Sequence, residues 1–156
     1  MRRLSGMVLA GAMLMLPAFS LTGHAQAAAQ PAAPNKTTYS AEAVIVMYAI
    51  NPGKEADYEK VIATLRAALA KSTAPEAKQQ LASWRVIKSE KPLTPDGTTY
   101  IHIIAPVVKD ADYSISNIVY AVSTDDEKRA FYELYKGALK GALSQINAVD
   151  VAAAAP

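Results

Sequence analysis

The sequence predicts an α+β domain built from four antiparallel strands with two long helices on one face of the sheet. Three observations predict it: a strand-length run that is apolar on both faces, two long segments whose apolar residues recur at helical spacing, and a central pair of strand-like runs joined by a Pro- and Gly-rich turn. The first run, Ala43–Ile50 (AVIVMYAI), is rich in β-branched residues and bounded by Asn51-Pro52-Gly53, so it reads as a strand covered on both sides. Asn51 is placed to cap a helix with Pro52 in its first turn. That helix, about Pro52–Lys71, puts Tyr58, Val61, Ile62, Leu65 and Leu69 on one stripe and Lys54, Glu55, Glu59, Arg66 and Lys71 away from it. A short helical turn is expected at Ala74–Leu81. Ser83–Lys91 and Thr98–Val108 read as the two strands of a hairpin, because Pro92-Leu93-Thr94-Pro95-Asp96-Gly97 between them has turn chemistry.

A loop through Asp110, Asp112 and Tyr113 leads to a short amphipathic piece with Ile115, Ile118, Val119 and Val122. Thr124-Asp125-Asp126-Glu127 has the spacing of a capping box, with acids where the helix dipole favours them. The second long helix, Asp125–Leu143, shows Phe131, Leu134, Tyr135, Ala138, Leu139 and Ala142 on one face, and a last strand is expected at Gln145–Val151. Two strand–helix–strand units in series make a ferredoxin-like βαββαβ arrangement over residues 41–151.

The ends of the chain have a different character. Of 156 residues 51% are hydrophobic, and 31 of them are Ala, concentrated in Ala25–Ala33, Ala152–Ala155 and the apolar stretch Met7–Leu21. Arg2 and Arg3, the apolar Leu4–Leu21 and the small-residue exit Ala25-Gln26-Ala27 read as a signal peptide over residues 1–27, with an uncleaved membrane anchor as the competing reading. Residues 28–40 read as a disordered Ala/Pro spacer and 152–156 as a disordered tail. Export to a periplasmic or secreted location follows. Removal of Arg2 and Arg3 leaves 14 Lys plus Arg against 14 Asp plus Glu. A neutral domain has no electrostatic basis for binding nucleic acid, and no stable membrane insertion is expected after cleavage. With no Cys, disulfides, Fe–S clusters, thiol catalysis and thiolate zinc sites are all excluded.

Two helices cover only one face of such a sheet, yet the first strand alternates Val44, Val46, Tyr48 and Ile50 against Ala43, Ile45, Met47 and Ala49. The hairpin's second strand repeats this, with Ile101, Ile103 and Ala105 opposite Tyr100, His102 and Ile104. An apolar face of that size predicts a homodimer packed sheet on sheet through the open face. The strand–helix junction Pro52-Gly53-Lys54-Glu55-Ala56-Asp57-Tyr58-Glu59 resembles that of the dimeric α/β-barrel superfamily typified by antibiotic biosynthesis monooxygenases. Element order is similar over residues 41–151. The resemblance implies a dimer able to enclose a pocket that in various members hosts cofactor-independent oxygenation, isomerisation, haem degradation or no known chemistry.

Candidate site residues are few. His102 is the one His beyond the signal segment and shares a strand face with Tyr100 and Ile104; it is either a general base or a hydrogen-bonded interface histidine. Tyr48, Trp84, Tyr100 and His102 are the residue types that line a small apolar-ligand site, or equally a barrel core, while Arg85 alternates to the face opposite Trp84. The resemblance implies, as one alternative to a non-enzymatic module binding a small apolar ligand or only itself, a cofactor-independent monooxygenase or isomerase for a small aromatic or polyketide-like compound, with His102 as base. The His, Asn and Trp set of the haem-degrading relatives is matched only by His102 and Trp84, so no cofactor is expected. Asp110-Ala111-Asp112-Tyr113-Ser114 opens like a calcium loop but has Ile115 and Ala121 where Gly and Glu are needed, and no metal site is expected. Gly137 and Gly141 predict close packing of the second long helix.

Overall fold

A computed structural model describes residues 35–95 and 97–149. The expected signal segment, residues 28–34 of the spacer, and the tail lie outside the described residues. Elements follow the order β1 (Ala43–Ile50), α1 (Glu55–Lys71), α2 (Ala77–Ser83), β2 (Trp84–Lys88), β3 (Thr98–Ile104), α3 (Ile115–Tyr120), α4 (Asp125–Ala138) and β4 (Leu139–Ala148). The chain is α+β, with one open sheet in the order β2-β3-β1-β4 and every neighbouring pair antiparallel. Among the described residues there are four helices, two long and two short.

β1 is β-branched and apolar because it lies inside the sheet, with β3 on one side and β4 on the other. Its Val44, Val46 and Ile50 face the helices and are buried with Tyr58, Val61, Leu65 and Leu69 of α1. The α1 stripe predicted from spacing is this buried face.

The start of α1 differs from expectation. Pro52 and Gly53 (φ 74°) form a turn closed by Lys54 N–H to Asn51 O at 3.0 Å, so the helix begins at Glu55 and Lys54, without a capping side chain, precedes it. Asn51 does its capping elsewhere. Its Nδ2 donates to Gly137 O (3.0 Å) and its backbone N–H to Ala138 O (2.9 Å), supplying donors to the orphan carbonyls at the end of α4. There α4 stops, five residues short of the predicted Leu143, and the chain passes directly into β4, with Leu139 opposite Ile50. Sheet pairing with β1 has overridden a helical pattern that Gly137 and Gly141 support poorly. The predicted close packing at these glycines is corrected too, since a Cβ at either would meet nothing within 4 Å.

The hairpin strands are shorter than predicted: Ser83 closes α2, and β3 ends at Ile104 before a cis Ala105–Pro106 bond. Gly97 (φ 152°) lies so close to β1 that a Cβ would sit 2.3 Å from Ile50 O, a position only glycine can take. The Thr124–Glu127 capping box forms in full, each residue's side chain bonding the other's backbone.

Residues 35–40, read as part of the spacer, are fastened to the domain. Asp112 Oδ1 accepts from Thr37 N (3.0 Å) and Ser114 N (2.8 Å), its Oδ2 from Asn117 Nδ2 (2.8 Å), while Tyr113 N–H donates to Thr37 O (2.7 Å). The Tyr39 ring lies 5.2 Å from that of Tyr113. Asp112 therefore acts as a turn and cap residue holding backbone donors.

The face of the sheet away from the helices is apolar over β1 and β3, and Ile87 of β2 and Ile146 of β4 extend it to the edge strands. The pairing aligns Ile87, Ile101, Met47 and Ser144 in one row and Arg85, Ile103, Ile45 and Ile146 in the next. Ile87 is 41% and Ile146 44% exposed. At one end the hairpin loop folds back, Leu93 N–H donating to Thr99 Oγ1, and Thr99 is buried.

Candidate functional site

Strand alternation sends Tyr100, His102 and Ile104 of β3 toward the helices, and Trp84 at the start of β2 pairs across from Ile104 on the same side. Tyr48 of β1 is half-buried there as well. The four residues expected to form a site are thus brought together, on the helix side of the sheet and not on its open face. The Tyr48 ring meets His102 edge-on at 4.9 Å, Trp84 lies 5.8 Å from His102, and Tyr100 joins through Tyr58 of α1 at 4.9 Å. Arg85, by the same alternation, is exposed on the open face.

The hydrogen bonds around His102 determine its chemistry. Trp84 Nε1–H donates to His102 Nδ1 at 3.1 Å, and Tyr58 Oη lies 2.8 Å from His102 Nε2. An indole N–H can only donate, so Nδ1 is the unprotonated nitrogen, Nε2 carries the hydrogen, and Tyr58 Oη accepts it. Burial pushes the imidazole down to about 4 and, more than any other cause, raises the Tyr48 and Tyr58 hydroxyls far above the ordinary tyrosine range. Near neutral pH every member of this cluster is uncharged. His102 is 1% exposed and Trp84 4%.

Tyr100 reaches the surface differently. Its hydroxyl donates to Glu59 Oε1 at 2.7 Å, Lys88 Nζ stands 3.5 Å from the same oxygen, and burial followed by that carboxylate raises the phenol. Comparison of the chain with models of known families, with curated proteins and with solved structures finds no match. What this cluster can do rests on its geometry alone.

A general base needs a nitrogen lone pair facing a space that a substrate can enter. His102 spends its one lone pair on Trp84, and none of the five surface clefts described is lined by Tyr48, Trp84, Tyr100 or His102. The cluster is packed as core, with two neutral hydrogen bonds satisfying the polar atoms it buries. Tyr58 is the member that sequence reasoning missed. Its place on the apolar stripe of α1 marked it as core, and nothing in helical spacing shows where a hydroxyl ends. Among the described residues no group of three or more His, Asp or Glu side chains gathers as a metal site would, and no helix is long and apolar enough to cross a membrane.

Proposed function

We propose that the chain is an exported homodimeric module of ferredoxin-like order, which packs sheet on sheet through its open face and binds a small apolar ligand or only its own copy. One observation carries the dimer: Ile45, Met47, Ile87, Ile101, Ile103 and Ile146 form a continuous apolar platform that no element among the described residues covers. Fully burying an aliphatic side chain of this size is worth about 1.5–3 kcal/mol, so covering the exposed part of six on each copy favours association. A two-fold contact uses the same patch twice, and Arg85 on the edge strand falls at its rim, where charge stays solvated. The strand order β2-β3-β1-β4 supports the ferredoxin-like reading, and the export reading rests on Arg2, Arg3 and the apolar stretch before Ala27. The oxygenase or isomerase alternative finds less support, because His102 is neutral, enclosed and bonded at both nitrogens.

Light scattering on the purified chain tests this. A dimer is expected at micromolar concentration and a monomer for Ile103→Lys, which places an ammonium in the middle of the platform. A monomeric parent chain would sink the proposal.

A further inference from the structure

The two long helices do not close against each other along their whole length. Between α1, α3 and α4 lies a cleft of about 430 Å³, within the size range of sites for small molecules. It exists because facing helix positions carry Ala67 and Ala68 on one side and Ala130 on the other, where larger aliphatic residues usually fill the gap. Its floor is Val119 and Phe131, 1% and 5% exposed, so an occupant would rest on apolar surface already held rigid by the core.

Charge at the mouth is asymmetric. Glu127 borders the cleft, yet its carboxylate already accepts from Thr124 N (2.7 Å) and Thr124 Oγ1 (3.0 Å) in the capping box. Lys71, in the last turn of α1, makes no hydrogen bond or ion pair among the described residues, and its charge is felt by Glu127 only at longer range. Thr64 and Ser123 turn their hydroxyl protons onto backbone carbonyls, Lys60 O and Val119 O, and present only lone pairs. The cleft therefore offers one cation able to donate, and an apolar bed.

We propose that this cleft binds a small organic monoanion, an aromatic or short-chain carboxylate or sulfonate, with its charged group on Lys71 and its apolar body on Val119 and Phe131. The inference deepens the ligand-binding half of the function proposed above and rests on it, while standing apart from the dimer.

The test titrates the purified protein with two fluorescent probes of similar shape, the anionic 8-anilinonaphthalene-1-sulfonate and the neutral N-phenyl-1-naphthylamine. Saturable binding of the anion at one site per chain is expected. Lys71→Met weakens it about three- to fivefold, as for a solvent-exposed ion pair, and leaves the neutral probe unchanged. Ala130→Leu, which fills the cleft from α4, abolishes both. Should that variant melt well below the parent, Ala67→Met fills the cleft from α1 and reads the same. Ile103→Lys is expected to leave both affinities intact, whether or not the parent is a dimer. Binding that survives either filling substitution, an equal response of both probes to Lys71→Met, or loss of binding in Ile103→Lys would overturn the proposal, the last by placing the ligand on the sheet face.

Discussion

Acidifying the protein from about pH 7 to pH 5 is expected to cost about 2 kcal/mol of folding stability through His102 alone. Burial holds its imidazole down at about 4 in the folded chain, against an ordinary value near 6.5 once unfolded. Between those two values the unfolded chain binds a proton that the folded chain refuses, so stability falls as pH falls. The loss begins near pH 6.5, reaches about 2 kcal/mol at pH 5 and about 3 kcal/mol at pH 4. The hydrogen bonds act in the same direction as burial: a proton on Nδ1 would face the Trp84 N–H that now donates to it. The groups nearest the ring, Tyr48, Tyr58 and Trp84, are uncharged throughout this range and offer the imidazolium no counter-charge.

Carboxylates do not obscure the window. Glu55, held low first by the Thr98 hydroxyl, Asp57 by Lys54, and Glu127 by the Thr124 backbone N–H, contribute stability that is lost only as pH falls through and below the ordinary carboxylate range near 4. Urea unfolding followed by the fluorescence of Trp84, the single Trp of the chain, measures the effect directly. His102→Phe should flatten stability between pH 6.5 and 5 while lowering it at pH 7, since two buried donors or acceptors lose their partner. A parent stability that is constant over this interval, or a midpoint near 6.5 for the His102 imidazole by proton NMR, would refute the reasoning.

Two other substitutions read the fold. Asp112→Ala strips acceptors from Thr37 N, Ser114 N and Asn117 Nδ2, and is expected to cost about 1–2 kcal/mol and to raise hydrogen exchange at residues 35–40, seen by mass spectrometry. Gly97→Ala drives a Cβ against Ile50 O in a backbone conformation that alanine disfavours, so a loss of more than about 1 kcal/mol is expected in a thermal melt.

Features that depend on local period were legible in the sequence. The capping box at Thr124 and Glu127, the α1 stripe through Tyr58 and Leu65, and the division of β3 into Tyr100-His102 and Ile101-Ile103 faces all follow from spacings of three, four or two residues. What escaped was decided from far along the chain. The Leu139 and Ala142 spacing continues a helix on paper, and what ends it is Asn51, 86 residues away from Gly137. His102 was legible as a residue of interest, but its role turns on Tyr58, 44 residues earlier, and Trp84, 18 residues earlier. The alternation that placed His102 beside Tyr100 could not say whether that face held a cavity or a solid core.

The position of β1 bears on how the chain is made. Among the described strands it is the first synthesised and becomes an interior one, and both its neighbours come later: β3 is complete only at Ile104 and β4 only at Ala148. Until then a two-faced apolar strand has two bare edges, the kind of segment that recruits like strands from other chains. Such long-range pairing also favours slow folding. A nascent or truncated chain ending near residue 138 would keep one of those edges open for good, so the last ten residues of the sheet guard the first eight against aggregation.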